Sequence, residues 1–146
     1  MKVKVKRLPG NEDVSIPKYQ TLGSAACDVH AAVVEPMIIR PGERKLVPTG
    51  LSFEFDKGYV MHLTPRSGLA LKKGIILTNT PAIIDSDFRG ELRIIVMNLG
   101  EEDFIIERND RIAQMNFKKV EQAEFVEVDE LMKTKRGSGC FGSTGK

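Results

Sequence analysis

Leu92-Arg-Ile-Ile-Val-Met-Asn98 is the stretch on which the prediction of the fold rests. The four consecutive residues from Ile94 to Met97 are all apolar. Successive side chains of a strand point to opposite faces, so a strand that is apolar at every position is covered on both faces. We therefore predict that residues 92–98 form a central strand.

Short alternating segments separated by Gly, Pro, Asn and Asp lie on both sides of this stretch, which is typical of a β-sandwich or β-barrel. Arg40-Pro-Gly-Glu43 has Pro and Gly at the two central positions of a type II turn. We predict three hairpins, which pair residues 36–39 with 44–47, 51–55 with 59–64, and 104–106 with 112–117.

Two further segments complete the predicted all-β fold. Lys2, Lys4 and Lys6 alternate with valines, which indicates a strand with a solvated face rather than a binding patch. Only Leu69-Ala-Leu-Lys-Lys73 is predicted to be helical, and Gly74 ends it.

Composition limits the classes of function. The chain has 146 residues, 41% hydrophobic and 29% charged, which suits one folded domain. A net charge of +2 argues against a nucleic-acid partner. Residues 1–7 contain no apolar signal-peptide core, and no apolar run approaches the roughly 18 residues of a membrane span. We expect a soluble, intracellular, cytoplasmic protein without a membrane partner.

Cys27 and Cys140 lack metal-ligand spacing and are expected to be reduced thiols.

The composition changes after Met132, so we predict a single β domain over residues 1–132 and a flexible, Gly-rich C-terminal arm over residues 133–146. Composition alone leaves two interpretations of this arm. It is either a linker or disordered end, or an arm that becomes ordered over a phosphate-bearing ligand, with Arg136 and glycine amides as donors.

Several segments could supply donors to phosphate oxygens. Arg66 and Ser67 lie where the predicted short helix begins, and unpaired N–H groups at such an end attract anions. Arg111 and Gln114 add donors in a strand-like segment. In the alternative interpretation, the two arginines pair with nearby carboxylates and Gln114 caps a strand edge.

Residues 78–91 are the most informative stretch for chemistry. Asn79 carries an amide that matches the edge of a pyrimidine, and Asp85 follows two isoleucines, as a carboxylate at the rim of an apolar pocket would. Such a carboxylate could activate water. Alternatively, Asp85 and Asp87 only bond the backbone of a turn. His30 and His62 lie in strand-like segments, and we interpret both as structural.

Five motifs follow one another along most of the chain. They are Ser24-Ala-Ala-Cys-Asp-Val29, Pro65-Arg-Ser-Gly-Leu-Ala70, Asn79 with Ile84-Asp-Ser-Asp-Phe-Arg-Gly-Glu91, Asp110-Arg-Ile-Ala-Gln-Met115, and Arg136-Gly-Ser-Gly-Cys-Phe-Gly-Ser-Thr-Gly145. In combination and in this order, they resemble the motifs of the homotrimeric dUTPases (deoxyuridine triphosphate nucleotidohydrolases). The resemblance implies a jelly-roll-like fold, a trimer whose three sites are each built from three chains, and Mg²⁺-assisted hydrolysis of dUTP to dUMP and pyrophosphate. That activity limits uracil in DNA and supplies dUMP for dTMP synthesis.

The resemblance also implies roles for individual residues. Asp85 matches the carboxylate that activates the water attacking the α-phosphorus, and Asn79 matches the residue at the uracil edge. Asp28 faces the magnesium ion through water, and substrate phosphates are the main ligands of that ion. Phe88 packs on the deoxyribose, and Phe141 stacks on uracil. Phosphate binding is assigned to Arg66, Ser67, Gly68, Gln114, Arg136, Gly137 and Ser138.

The sequence departs from the family pattern at four positions. Phe88 replaces a tyrosine and so lacks its hydroxyl, whereas Ala26, Ala82 and Cys140 replace glycines. Each of the last three adds a Cβ where the family has glycine, the residue that tolerates unusual dihedral angles and close ligand approach. We expect these positions to bear on activity and on closure of the arm.

Two other functions remain open on the sequence. A dCTP deaminase or a bifunctional relative shares the fold, but the Ile84-Asp85 pair and the Gly-rich arm favour hydrolysis without deamination. A nucleotide-binding regulator would keep the pocket without turnover, and the retained Asp85 argues against it.

Overall fold

The computed structural model describes residues 1–140, which form eleven strands and one helix, α1, over Ser67–Lys73. The helix begins two residues before the predicted one and ends at Gly74, whose φ of 66° is left-handed. The prediction of an all-β chain with one short helix is confirmed. The strands are β1 Lys4–Arg7, β2 Cys27–His30, β3 Met37–Ile39, β4 Arg44–Pro48, β5 Leu51–Glu54, β6 Tyr59–Thr64, β7 Ile75–Leu77, β8 Ala82–Ile84, β9 Arg93–Asn98, β10 Phe104–Ile106 and β11 Arg111–Lys119.

The strands form four sheets, in the orders β2-β11-β6-β8, β4-β9-β7, β1-β5 and β10-β3. The predicted central strand is confirmed, because β9 pairs with β4 on one side and β7 on the other. Its side chains alternate, however: Ile94 and Val96 are buried in the core, whereas Ile95 and Met97 are only half-buried. Within this chain, β9 is therefore fully covered on one face only.

All three predicted hairpins are wrong, although each of their segments forms a strand. β3 pairs with β10, β4 with β9, β5 with β1, and β6 with β11 and β8. The turn over residues 40–43 does form, with the Glu43 N–H donating to the Arg40 carbonyl at 2.9 Å. Gly42 and Glu43 also bond the backbone of Asn98, so the turn docks on the end of β9. Its two flanking strands consequently separate into different sheets.

The side chain of Asn98 fixes the end of β9. It is fully buried, and its amide nitrogen donates to the carbonyls of Ile39 and Glu102, both at 2.8 Å. Its amide oxygen accepts the N–H of Gly100 at 2.8 Å. A buried polar group is tolerated when its hydrogen bonds are satisfied. Asn98 therefore joins β9 to β3 and to the turn that leads into β10.

Beyond β11, residues 121–138 are exposed, and the predicted domain boundary at residue 132 lies within this segment. The part of the predicted arm that follows Cys140, including Phe141, lies outside the described residues. No helix in the described part of the chain is long and apolar enough to cross a membrane.

Arg108 anchors the N-terminal segment to the sheets. Its guanidinium donates to both carboxylate oxygens of Asp13, at 2.8 and 2.7 Å. The same group donates to the carbonyls of Ala32 and Val33, at 3.2 and 3.3 Å. These bonds connect the loop after β1, the loop after β2 and the turn before β11. The Arg108 guanidinium lowers the pKa of Asp13 from 3.8 to about 2.

This pair predicts a specific loss of stability in acid. A carboxyl whose pKa is lower in the folded than in the unfolded protein stabilises the fold above the unfolded value. The contribution of Asp13 should be present above about pH 4 and should disappear as the pH falls towards about 2. Asp13→Asn should therefore lower Tm near neutrality, and the difference from the wild type should narrow in acid. Thermal melts across this pH range measure the difference in Tm between the two proteins. A difference in Tm that stays constant with pH would contradict the role of Asp13.

Candidate active site

Two of the candidate site residues, Asp28 and Gln114, lie on one face of the four-stranded sheet. Cross-strand neighbours point to the same side of a sheet, and Asp28, Gln114 and Thr64 form one such row across β2, β11 and β6. A parallel row joins Asn116, His62 and Ile83 across β11, β6 and β8. The opposite face belongs to the hydrophobic core, so it is the polar face that is available for chemistry.

Asp28 holds two arginines together. Its carboxylate is buried and accepts the Arg66 Nε–H at 2.9 Å on one oxygen and the Arg111 guanidinium at 3.4 Å on the other. Arg66 also donates to the backbone carbonyl of Arg111 at 3.2 Å. Both arginines thus pair with a carboxylate, as the alternative interpretation proposed. One carboxylate faces two guanidinium groups, so this group of three side chains keeps a net positive charge.

Gln114 does not cap a strand edge, so that part of the alternative is wrong. It lies within β11, which has β2 on one side and β6 on the other. Its half-buried side chain shares a face with Asp28. His30 lies near the same arginines, and burial lowers its pKa below the usual value, which favours the neutral imidazole.

Asp85 borders a separate cavity of about 790 Å³. Phe55, Tyr59, Val60 and Ile83 provide its apolar lining. Charged and polar side chains, among them Lys57, His62 and Asp87, line the rest of the cavity. The exposed carboxylate of Asp85 therefore lies beside a cavity that is apolar only in part.

His62 also lines the Asp85 cavity, which the interpretation of this residue as purely structural did not foresee. The available signal is its two-residue spacing from Val60 on β6, which places both side chains on one face. Sequence alone does not reveal that this face borders Asp85, because the pairing of β6 with β8 is needed to bring them together.

The loop after β8 is organised by its own backbone and by one arginine. The Phe88 N–H donates to the Asp85 carbonyl at 3.2 Å, and Arg89 donates to the carbonyls of Ser86 and Phe88. Among the hydrogen bonds of residues 1–140, none involves the side chain of Asp85 or Asp87. The alternative in which these two carboxylates bond the backbone of the turn is therefore wrong.

The remaining candidates lie on exposed segments. Asn79 is in the loop between β7 and β8, and Ser67 and Gly68 begin α1. Arg136, Gly137 and Ser138 are exposed, and Arg136 donates to the Gly139 carbonyl at 2.9 Å.

The alanines that replace family glycines do not strain the backbone. Among residues 1–140, Asn109 is the only residue other than glycine with a positive φ. Ala26 and Ala82 therefore adopt backbone conformations open to any residue, and the Cβ of Ala82 packs in the core.

Arg66 and Asp85 lie at opposite ends of β6. The register places Asp85 beside Val60, because Ile84 pairs with Met61. Arg66 comes six residues after Val60 in the sequence. In an extended strand this separates the two residues by roughly 20 Å. The fold therefore brings Asp28, Arg66, Arg111 and Gln114 together but leaves Asp85 in a second location.

The described residues contain no group of three or more His, Cys, Asp or Glu side chains arranged to hold a metal ion. Both oxygens of Asp28 face arginines. A cation at this face would therefore need most of its ligands from a bound molecule or from water.

The geometry around Asp28 predicts an order of stabilities. Asp28→Asn leaves two guanidinium groups without a counter-charge and should lower the free energy of unfolding by about 2 kcal/mol. Arg111→Gln should cost less, because Arg111 is half exposed and its contact is longer, at 3.4 Å. Denaturant titrations at one fixed protein concentration measure both. A larger loss for Arg111→Gln than for Asp28→Asn would contradict the central position of this carboxylate.

The amino-acid sequence of the chain is similar to that of known proteins. The sequence model of the dUTPase family matches residues 12–145. The deoxyuridine 5'-triphosphate nucleotidohydrolase of Nautilia profundicola is 51% identical over 146 residues, covering all of both chains.

Two solved structures share the fold. A mutant dUTPase of Staphylococcus bacteriophage 80alpha with dUpNHpp is 25% identical, has a TM-score of 0.84 and covers 99% of each chain. A mutant dUTPase from phage phi11 of S. aureus, described with a structural Mg(II) ion, is 20% identical with a TM-score of 0.81, covering 91% of this chain and all of the other. These likenesses confirm the predicted jelly-roll-like fold. Because the family model spans almost the whole chain and a relative identical at half of its positions aligns over its full length, the chain belongs to the dUTPase family, as its five motifs predicted.

Proposed function

We propose that this protein hydrolyses dUTP to dUMP and pyrophosphate, with Asp85 as the base that activates the attacking water. The observation that carries the proposal is that the Asp85 carboxylate, at the rim of a partly apolar cavity, makes no hydrogen bond within residues 1–140. Such a carboxylate keeps its lone pairs available for a water molecule and its proton. The attacking water would form the new bond at the α-phosphorus, and pyrophosphate would leave. The comparisons favour neither a deaminase nor a non-catalytic regulator.

Substrate selection is assigned to the loops on either side of β8. Asn79 would bond the edge of uracil through its amide, which has both a donor and an acceptor. Phe88 would place its ring against the deoxyribose, and this ring is available because it is 45% exposed. Without a phenolic hydroxyl, Phe88 would discriminate against a 2′-hydroxyl by steric contact alone.

Phosphate binding is assigned to the positive group around Asp28. Arg66 would bind phosphate oxygens while Asp28 holds its guanidinium in place, and Gln114 lies on the same face. Ser67 and Gly68 would add donors at the start of α1. Positioned positive groups of this kind stabilise the charge that develops on a transferring phosphoryl group.

The donor set fits a magnesium ion that is held mainly by the substrate. Magnesium retains several waters and typically takes only one or two protein carboxylates besides phosphate oxygens. Asp28 would face the ion through water, and the ion would neutralise charge on the triphosphate. The chain's own residues would bind and orient the phosphates, and Asp85 would accept the proton.

The outer face of β9 supports a homotrimer. The sequence of β9 is typical of a strand covered on both faces, yet Ile95 and Met97 are only half-buried in this chain. Leu46, which is paired with Ile95 on β4, is 49% exposed. Burial of these side chains against other copies would remove apolar surface from water, worth about 25 cal/mol per Å².

The separation of Arg66 from Asp85 supports sites that are shared between chains. Both residues must contact one triphosphate, and roughly 20 Å along β6 is too far for this within one chain. Asp85 of one copy would therefore face Arg66 of a second copy. The arm of the third copy, with Arg136, Gly137, Ser138 and Phe141, would close over the nucleotide.

Loss of the proposed base gives a direct test of the chemistry. Asp85→Asn should lower kcat by about 10²- to 10⁴-fold and leave dUTP binding nearly unchanged, because an amide cannot take up the proton. Pyrophosphate release and binding of a non-hydrolysable dUTP analogue measure the two properties separately. Asp87→Asn, two residues further along the same loop, is the matched control and should retain turnover. Near-normal turnover by Asp85→Asn would remove Asp85 from this role.

A charge on the outer face of β9 tests the assembly. Ile95→Glu should give a smaller particle in solution and lose activity at the same time, because the sites would be shared. Leu71→Glu changes an exposed leucine on α1 and should leave both properties intact. Native mass spectrometry and dUTP turnover are measured on the same samples. A wild-type monomer with full activity would contradict the shared site.

A further inference from the structure

Arg89 is bonded to the loop that carries Asp85 and Phe88. Its Nη1 donates to the carbonyl of Ser86 at 2.6 Å and to that of Phe88 at 3.0 Å. One nitrogen therefore makes both bonds. Hydrogen bonds from a charged donor are stronger than those between neutral groups.

The ring of Phe88 packs against Gly90. A Cβ added at Gly90 would lie 2.7 Å from Cζ and 2.9 Å from Cε2 of that ring. The ring therefore lies against the glycine backbone, in the space that a side chain at position 90 would occupy. A phenylalanine has no hydroxyl with which to bond a neighbour, so packing, including this contact with Gly90, is what positions the ring.

No carboxylate competes for Arg89 within residues 1–140. The ion pairs of this part of the chain do not include it, although the carboxylate of Glu54 lies on the same side of the molecule and pairs with Lys4 at 2.6 Å. The guanidinium borders both the Asp85 cavity and the groove beside β1. Within residues 1–140, its side-chain hydrogen bonds go to the two loop carbonyls alone, which indicates a role in the loop.

We propose that Arg89 is a positioning residue that sets selectivity for the deoxyribose through Phe88. The inference rests on the proposed function, because it assumes that Phe88 contacts the sugar. By holding the Phe88 carbonyl, Arg89 keeps the ring seated on Gly90, where it blocks the space of a 2′-hydroxyl. When this bond is lost, the ring can move away and a ribonucleotide can enter. Small displacements at such contacts alter rates strongly.

The test compares hydrolysis of dUTP and UTP by three variants. Arg89→Met removes the donor while keeping the length of the side chain, and it should lower the ratio of kcat/KM for dUTP over UTP by on the order of tenfold. Arg89→Lys should retain the ratio, because a single nitrogen makes both bonds. Lys57→Met removes a positive charge from the same cavity without touching the loop carbonyls, and its ratio should match the wild type. A purely structural role would lower the stability of Arg89→Met without changing the ratio.

Two results would overturn the proposal. One is an unchanged ratio in Arg89→Met, and the other is an equal loss in Arg89→Met and Arg89→Lys. Hydrogen exchange of the Phe88 amide in the ligand-free protein provides a readout that needs no activity. The exchange rate of the Phe88 amide should be faster in Arg89→Met than in Arg89→Lys, and equal rates would show that Arg89 does not hold the loop. If the wild type did not hydrolyse dUTP, the proposed function would fail, but these exchange rates would still test whether Arg89 holds the loop.

Discussion

The structure depends on one strand that is apolar on both faces. Ile94 and Val96 of β9 pack into the core, and β4 and β7 flank the strand on its two edges. Ile95 and Met97 project from the other face, where this chain supplies no complete cover. Burying such surface is favourable in proportion to its area, so the strand that organises the core also favours association with further copies. In this view the fold and the proposed trimer have the same physical origin.

A single buried carboxylate organises the charged side of the molecule. Asp28 fixes Arg66 and Arg111 from one strand, so two flexible cations acquire defined positions on the polar face of the sheet. The remaining positive charge suits a phosphate ligand. Asp85 lies beyond the other end of β6, with no bonded partner among residues 1–140, and this availability is what a base requires. Because Arg66 and Asp85 lie far apart within one chain, the proposed chemistry requires several copies of the chain to assemble.

Prediction from sequence succeeded where local patterns carry the information. Ile94 to Met97 predicted a central strand, and Gly74 predicted the end of the helix. The hairpins failed because alternation identifies a strand without identifying its partner. The turn at residues 40–43 formed as expected, but its bonds to Asn98 direct β3 and β4 into different sheets. The position of His62 beside the Asp85 cavity was not predicted for the same reason, since only the pairing of β6 with β8 brings the two together.

The sequence by itself determined most of the strands, the short helix and the family, because these follow from side-chain type and spacing along the chain. The residues proposed for catalysis were assigned through the resemblance of their motifs to that family. Tertiary structure alone decided which strands pair, that Asp28 holds both Arg66 and Arg111, and that Arg89 bonds the loop of Phe88. These contacts join residues through register and turn geometry. Register depends on the packing of the whole core, and no local pattern encodes it.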